Sequence, residues 1–166
     1  MNGDINGIGK EYYDNGKLKF EGEYLNGQKL KGKEYYNNGK IKFEGQYLNE
    51  KMWNGIMYGI KFKRKYEIKN GAGKVKEYNY KGNLIFEGEY LNGKRWNGKI
   101  FEYCNYGILK LESQYLNGEK NGKGKESDDY RLIYEGEFLN GKRNGKGKEY
   151  YNIKEIYDLK GNKNNE

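Results

Sequence analysis

Few residue types in this 166-residue chain are suited to chemistry, and most of them recur too regularly to form one active centre. The chain has no histidine, which removes the commonest general base and a frequent metal ligand. Its one cysteine, Cys104, has no histidine to activate it and stands where Tyr36 stands in another copy of the same pattern, so it reads as a packing substitution. The acidic pair Asp128-Asp129 has no further ligands close in sequence to complete a cation site. The glutamates come as Glu-x-Glu pairs among lysines rather than as one pair in contrasting environments, which is what acid–base work requires. The Gly-Lys-Gly strings have no helix start behind them and are not phosphate loops. These residues predict no enzyme, no cofactor and no metal.

What positions these residues is a repeat. The string Phe86-Glu87-Gly88-Glu89-Tyr90-Leu91-Asn92-Gly93 recurs at 20–27, 43–50, 111–118 and 134–141. Asparagines at the turn, Asn2, Asn26, Asn49, Asn70, Asn92, Asn117 and Asn140, follow one another by 24, 23, 21, 22, 25 and 23 residues. Self-similarity at this period signals a repeat architecture. Each unit offers a turn such as 117–122, a strand of the form Gly145-Lys146-Gly147-Lys148-Glu149-Tyr150-Tyr151, a second turn such as Tyr36-Asn37-Asn38-Gly39, and the strand of the recurring string. The prediction is all-β: an elongated single-layer antiparallel meander of stacked β-hairpins, about 23 residues each. Six to seven units span 1–161, and 162–166 form a frayed tail.

Strand alternation places Leu18, Phe20, Gly22 and Tyr24 on one face and Lys19, Glu21, Glu23 and Leu25 on the other. Rings from neighbouring strands are expected over the bare glycines, and Glu–Lys pairs across the opposite face. Glu34 and Glu149 fall on the glycine side, which the two-face picture does not explain.

Composition agrees with thin layers. Hydrophobic residues make up 34%, charged residues 34% and aromatic residues 16%, with 19 tyrosines. Mean hydropathy is −1.24. Such polarity suggests disorder unless aromatic content and strict period supply a core, as they do here. The net charge of +8 is spread among glutamates, which argues against nucleic acid as a partner. A single cysteine, no basic and apolar leader at residues 1–7, and no long apolar run predict a cytoplasmic protein, free or at the edge of a membrane or the cytoskeleton.

At this point the residues resemble a known family. Gly145, Gly147 and Tyr151, the turn at Tyr36 and Gly39, and Phe86, Glu87, Gly88, Glu89 and Tyr90 are similar to the MORN (membrane occupation and recognition nexus) repeat, with Asn-Asn where its turn usually has Pro-Asp. The resemblance covers nearly the whole chain. It implies a non-catalytic scaffold, dimerisation or accessory module, and for some arrays binding to acidic phospholipids.

Departures from the repeat mark the candidate interaction surface. Trp53 and Trp96 occupy one equivalent place, followed by Met57 and Ile100 where a second glycine usually stands. Tryptophan is packing over its own hairpin, or an interface anchor. The third unit runs as a strand from Ile60 to Lys69 and carries the cation cluster Lys61, Lys63, Arg64 and Lys65 beside Tyr66, with Arg64 on the apolar parity. Turn cations Lys94-Arg95 and Lys142-Arg143 complete the set. Two functions stand open: a protein-interaction scaffold that self-associates through open edges near 8–13 and 154–160, and a peripheral membrane adaptor for acidic phospholipids. Residues 153–159 depart from the pattern as a cap would.

Overall fold

A left-handed asparagine opens the short turn of each unit, and this fixes the architecture. In a computed structural model that describes residues 5–60, 64–128 and 130–151, all six turn asparagines after Asn2 are left-handed: Asn26, Asn49, Asn70, Asn92, Asn117 and Asn140, with φ of 50–55°. Asparagine tolerates this region better than most side chains, and the paired left-handed turn matches strand twist. At Asn49-Glu50 the second residue is also left-handed (φ 62°), and the Glu50 carboxylate accepts the Lys29 N–H at 2.7 Å. The turn expected over 117–122 is shorter. Only Asn117-Gly118 turns, and Asn121-Gly122 lies within a strand as part of a bulge.

Thirteen antiparallel strands follow: β1 (Gly7–Tyr12), β2 (Leu18–Leu25), β3 (Gln28–Tyr35), β4 (Ile41–Leu48), β5 (Lys51–Tyr58), β6 (Lys65–Ile68), β7 (Gly73–Tyr78), β8 (Leu84–Leu91), β9 (Lys94–Tyr103), β10 (Leu109–Leu116), β11 (Glu119–Asp128), β12 (Arg131–Leu139) and β13 (Lys142–Glu149). Each pairs with its sequence neighbours in two open meanders, β1–β6 and β7–β13. Between them, among the described residues, Lys69 and Ala72 form an isolated bridge. The expected strand over 60–69 is shorter, Lys65–Ile68, with 61–63 outside the described residues.

Glycines pair across the sheet as Gly9↔Gly22, Gly22↔Gly32, Gly32↔Gly45 and Gly45↔Gly55, and again as Gly88↔Gly98, Gly124↔Gly136 and Gly136↔Gly147. The backbones approach so closely that a Cβ on Gly22 would lie 2.6 Å from the Gly32 Cα. The expected rings cover this line: the Phe20 Cζ would meet a Cβ on Gly22 at 2.8 Å and on Gly32 at 2.5 Å, and Phe43 stands likewise over Gly45 and Gly55. Edge-to-face contacts then connect units, with Phe20 5.5 Å from Tyr24 and 5.6 Å from Tyr47, and Tyr47 5.3 Å from Phe43. Such geometry adds to the burial of the rings. One buried cluster runs from Phe20 through Phe43, Met57, Ile68 and Val75 to Phe86, so the core crosses the break between the sheets. A smaller one holds Leu111, Tyr134 and Phe138.

Candidate interaction surface

Inside the array, the glutamates on the glycine side have a defined task. Glu11 accepts from the Tyr24 hydroxyl at 2.8 Å and from Lys29 Nζ. Glu77 accepts from Tyr90 at 2.9 Å, Arg95 Nε at 2.7 Å and Arg95 Nη2 at 3.0 Å. Lys120 pairs with Glu102, and Arg143 Nε with Glu126 at 2.7 Å. Three of these cations also lie over a ring nine residues earlier: Lys29 over Phe20, Arg95 over Phe86 and Arg143 over Tyr134, at 4.6, 5.2 and 4.5 Å. Glu34, unexplained by the two-face picture, is a member of this set: it pairs with Lys42 and takes a long bond from Tyr47 at 3.4 Å. Burial raises the Tyr90 hydroxyl's pKa above its ordinary value, and the adjacent Glu77 raises it further. Burial opposes the charge on Glu11, yet bonds from Tyr24 and Lys29 hold its carboxyl below the usual range.

The opposite face carries the expected cross-strand pairs, among them Lys33–Glu44 at 3.3 Å, Lys76–Glu87 at 2.6 Å, Lys99–Glu112 at 3.1 Å and Lys125–Glu135 at 3.0 Å. A shallow groove of about 550 Å³ on the second sheet is lined by these same groups, including Lys99, Glu112, Lys125 and Glu135. Four lysines and three glutamates line it, so it does not single out an anion.

The residues singled out from sequence separate. Trp53 and Trp96 are equivalent, as expected: each is the extra residue of a bulge, since Gln46 pairs with Asn54 and Tyr47 with Met52, and Glu89 with Asn97 and Tyr90 with Arg95. Leu30 holds the same place in β3, between pairs Glu23↔Lys31 and Tyr24↔Lys29. The rings lie against the turn of the following unit. A Cβ on Gly71 would meet the Trp53 ring at 2.7 Å, and the Gly71 N–H bonds the Trp53 carbonyl at 2.8 Å. Gly118 relates to Trp96 in the same way, at 3.9 and 3.0 Å.

Met57 is fully buried and belongs to the core, which corrects its placement on a surface. The register puts Gly55 opposite Gly45, so Met57 takes the inward glutamate's place; Ile100 faces Phe86 on its β8 side but stands opposite Ser113 on its β10 side, at the expected glycine place, where Glu102 is the inward glutamate. Arg64 lies outside β6 and is exposed, not on a buried parity; its carbonyl accepts the Gly59 N–H at 3.0 Å. Lys65 is exposed, with Nζ 5.6 Å from the centre of the Tyr58 ring, and Tyr66 is half-buried against the core. Lys61 and Lys63 lie outside the described residues. Arg95 and Arg143 are held by Glu77 and Glu126, while Lys94 and Lys142 beside them are exposed. Of the expected open edges, β1 is the outer strand of the first sheet, and 154–160 lies outside the described residues.

Sequence reasoning passed over one set. Leu25, Leu48, Leu91, Leu116 and Leu139 end the recurring string on the charged face, and all stay 40–53% exposed. Alternation already put Leu25 among charges; the missing step was to ask what a leucine does there in every copy. Beside them runs an asparagine ladder: Asn6, Asn54, Asn97 and Asn121 each accept with their side-chain oxygen the N–H of a turn asparagine, Asn26, Asn70, Asn117 and Asn140, at 2.7–3.0 Å.

The family model for the MORN repeat matches residues 1–17, 112–129 and 134–153. Between the first and second of these stretches the same hairpin, turn asparagine and glycine line continue. No curated protein matches the chain.

Proposed function

This chain is a MORN-repeat protein, and from that premise we propose that it works as a non-catalytic protein-interaction scaffold. The observation that carries this reading is the leucine series. Five leucines at one place of the repeat remain half-exposed on a face otherwise made of paired charges. An apolar stripe bordered by polar groups is the kind of surface that binds other proteins. The non-catalytic part rests on the glutamates, which are engaged unit after unit by Tyr, Lys or Arg in one repeated arrangement.

A second reading has its own observation. Lys94 and Lys142 stand exposed three residues after Leu91 and Leu139, an apolar and cationic pairing suited to acidic phospholipid headgroups. The scaffold is favoured because Arg95 and Arg143, the other turn cations, are already paired with Glu77 and Glu126.

Affinity capture from source cells with wild type and with a Leu48→Ser, Leu91→Ser, Leu116→Ser variant tests the choice. Wild type should retain specific proteins, and the folded variant should lose them. Co-sedimentation with anionic vesicles at low salt, with no protein captured, would replace the scaffold by the membrane adaptor.

A further inference from the structure

Two kinds of strand alternate in this array. Glu-strands (β2, β4, β8, β10, β12) carry the string of an aromatic or apolar residue, Glu, a small residue, Glu or Gln, and an aromatic, and Lys-strands (β3, β11, β13) carry lysine at the facing positions. Interior Lys-strands have a Glu-strand on each side. Lys33 faces Glu21 and Glu44, and Lys125 faces Glu112 and Glu135.

Among the described residues the second sheet ends at β13. There β13 has a Glu-strand only on its β12 side and is exposed along its whole length. Lys148 faces Glu135, but that carboxylate already holds Lys125 at 3.0 Å. Lys142, Lys146 and Lys148 make no ion pair among the described residues; Lys146 uses only its backbone N–H, toward Glu137 at 3.2 Å. An outer strand also presents unpaired N–H and C=O groups, which template a further strand.

Resting on the scaffold reading above, we infer that the free side of β13 is a docking edge for an extended acidic segment of a partner protein. That segment carries glutamates on either side of a glycine or serine, flanked by apolar or aromatic residues. The charge requirement follows from the lysines. The small residue copies the pairing on the other side of β13, where a Cβ on Gly136 would lie 2.5 Å from the Gly147 Cα. Ser113 opposite Gly124 shows that serine is accepted there. A second copy of this chain fits poorly. Antiparallel pairing of two β13 strands with Gly147 opposite Gly147 sets Lys146 against Lys148 twice, and β1 matched to β13 at Gly9 and Gly147 sets Lys10 against Lys146. Like charges directly opposite one another destabilise a strand pair.

A fluorescent peptide copying residues 131–139, titrated into the full chain, tests this. It should bind, and Lys146→Glu with Lys148→Glu should weaken binding roughly tenfold with the fold intact by circular dichroism. A peptide with lysine in place of both glutamates should show the reverse preference and favour the charge-reversed protein. Methylating alternate peptide amides should abolish binding, because the contact is a strand pair. Equal binding of a scrambled peptide of the same composition would overturn the inference by reducing it to bulk charge. Displacement by anionic vesicles or single-stranded nucleic acid as readily as by unlabelled peptide would assign the edge to those polyanions instead. Displacement by a peptide of residues 152–166 would give the edge to the chain itself, and dimerisation of the wild type that the charge reversal abolishes would give it to a second copy. Loss of peptide binding with leucine-dependent capture intact would refute the edge and leave the scaffold standing.

Discussion

Glu77 shows why a charge lies on the aromatic side of the sheet. It is 9% exposed and satisfies three donors, the Tyr90 hydroxyl and two nitrogens of Arg95. Met57 stands at the equivalent place in β5. There the following strand is cut short, Tyr66-Glu67-Ile68-Lys69-Asn70 having lost the Tyr-Leu pair that precedes Asn49, and the residue opposite Met57 is Tyr66, with its hydroxyl buried. Glu77→Ala leaves the Arg95 guanidinium and the Tyr90 hydroxyl partly buried without their acceptor. The expected loss is about 2–3 kcal/mol, read as a shift in urea midpoint. A loss below about 0.5 kcal/mol would mean the pair is solvated like a surface one.

The strand pair is held to its geometry by glycine, and the demand differs by position. A Cβ on Gly32 would run into the Glu21 carbonyl and stand 2.5 Å from Phe20 Cζ and 2.9 Å from the Gly22 Cα. Backbone on two sides cannot yield cheaply, so Gly32→Ala should cost about 2–3 kcal/mol. Gly39, in the opposite turn, has φ of 80° and open space around it, so Gly39→Ala should cost only about 1 kcal/mol, the strain of a left-handed alanine. Equal losses in thermal unfolding would refute the close approach. Much of this level was legible in the sequence. The turn asparagines, the two faces, the rings over glycine and the Glu–Lys pairs all follow from residues within one hairpin. The acceptor role of Glu34 and the burial of Met57 were not legible, because each depends on a strand further along the chain and on bulges that reset the register. The exposed leucines were visible as residues, but their exposure depends on what the neighbouring units leave uncovered.

Across the whole molecule, one motif repeated along two sheets makes the response to pH collective. Carboxylates held low include Glu11, where bonds from Tyr24 and Lys29 outweigh burial, Glu21, through its bond from Tyr35, and Glu149, through Tyr151 and then Arg143. Each favours the folded state above the ordinary carboxylate value of 4.5 and loses that contribution as pH falls through its depressed value. Tyrosines are shifted the other way. Burial raises Tyr24, Tyr47 and Tyr90, and the bond to Glu21 pushes Tyr35 up to about 12. In the unfolded chain they ionise near 10.0, so their contribution is complete below that value and disappears as pH rises through the raised ones. The urea midpoint should therefore be level between about pH 5 and 9 and fall on both sides. Because Phe20 to Phe86 form one cluster that crosses the bridge at Lys69 and Ala72, both sheets should follow the same two limbs. Tyrosinate absorbance supplies the check. Native protein titrating with the unfolded chain near 10, or gaining stability as pH falls below 4.5, would show that the tyrosine–glutamate bonds do not hold the array together.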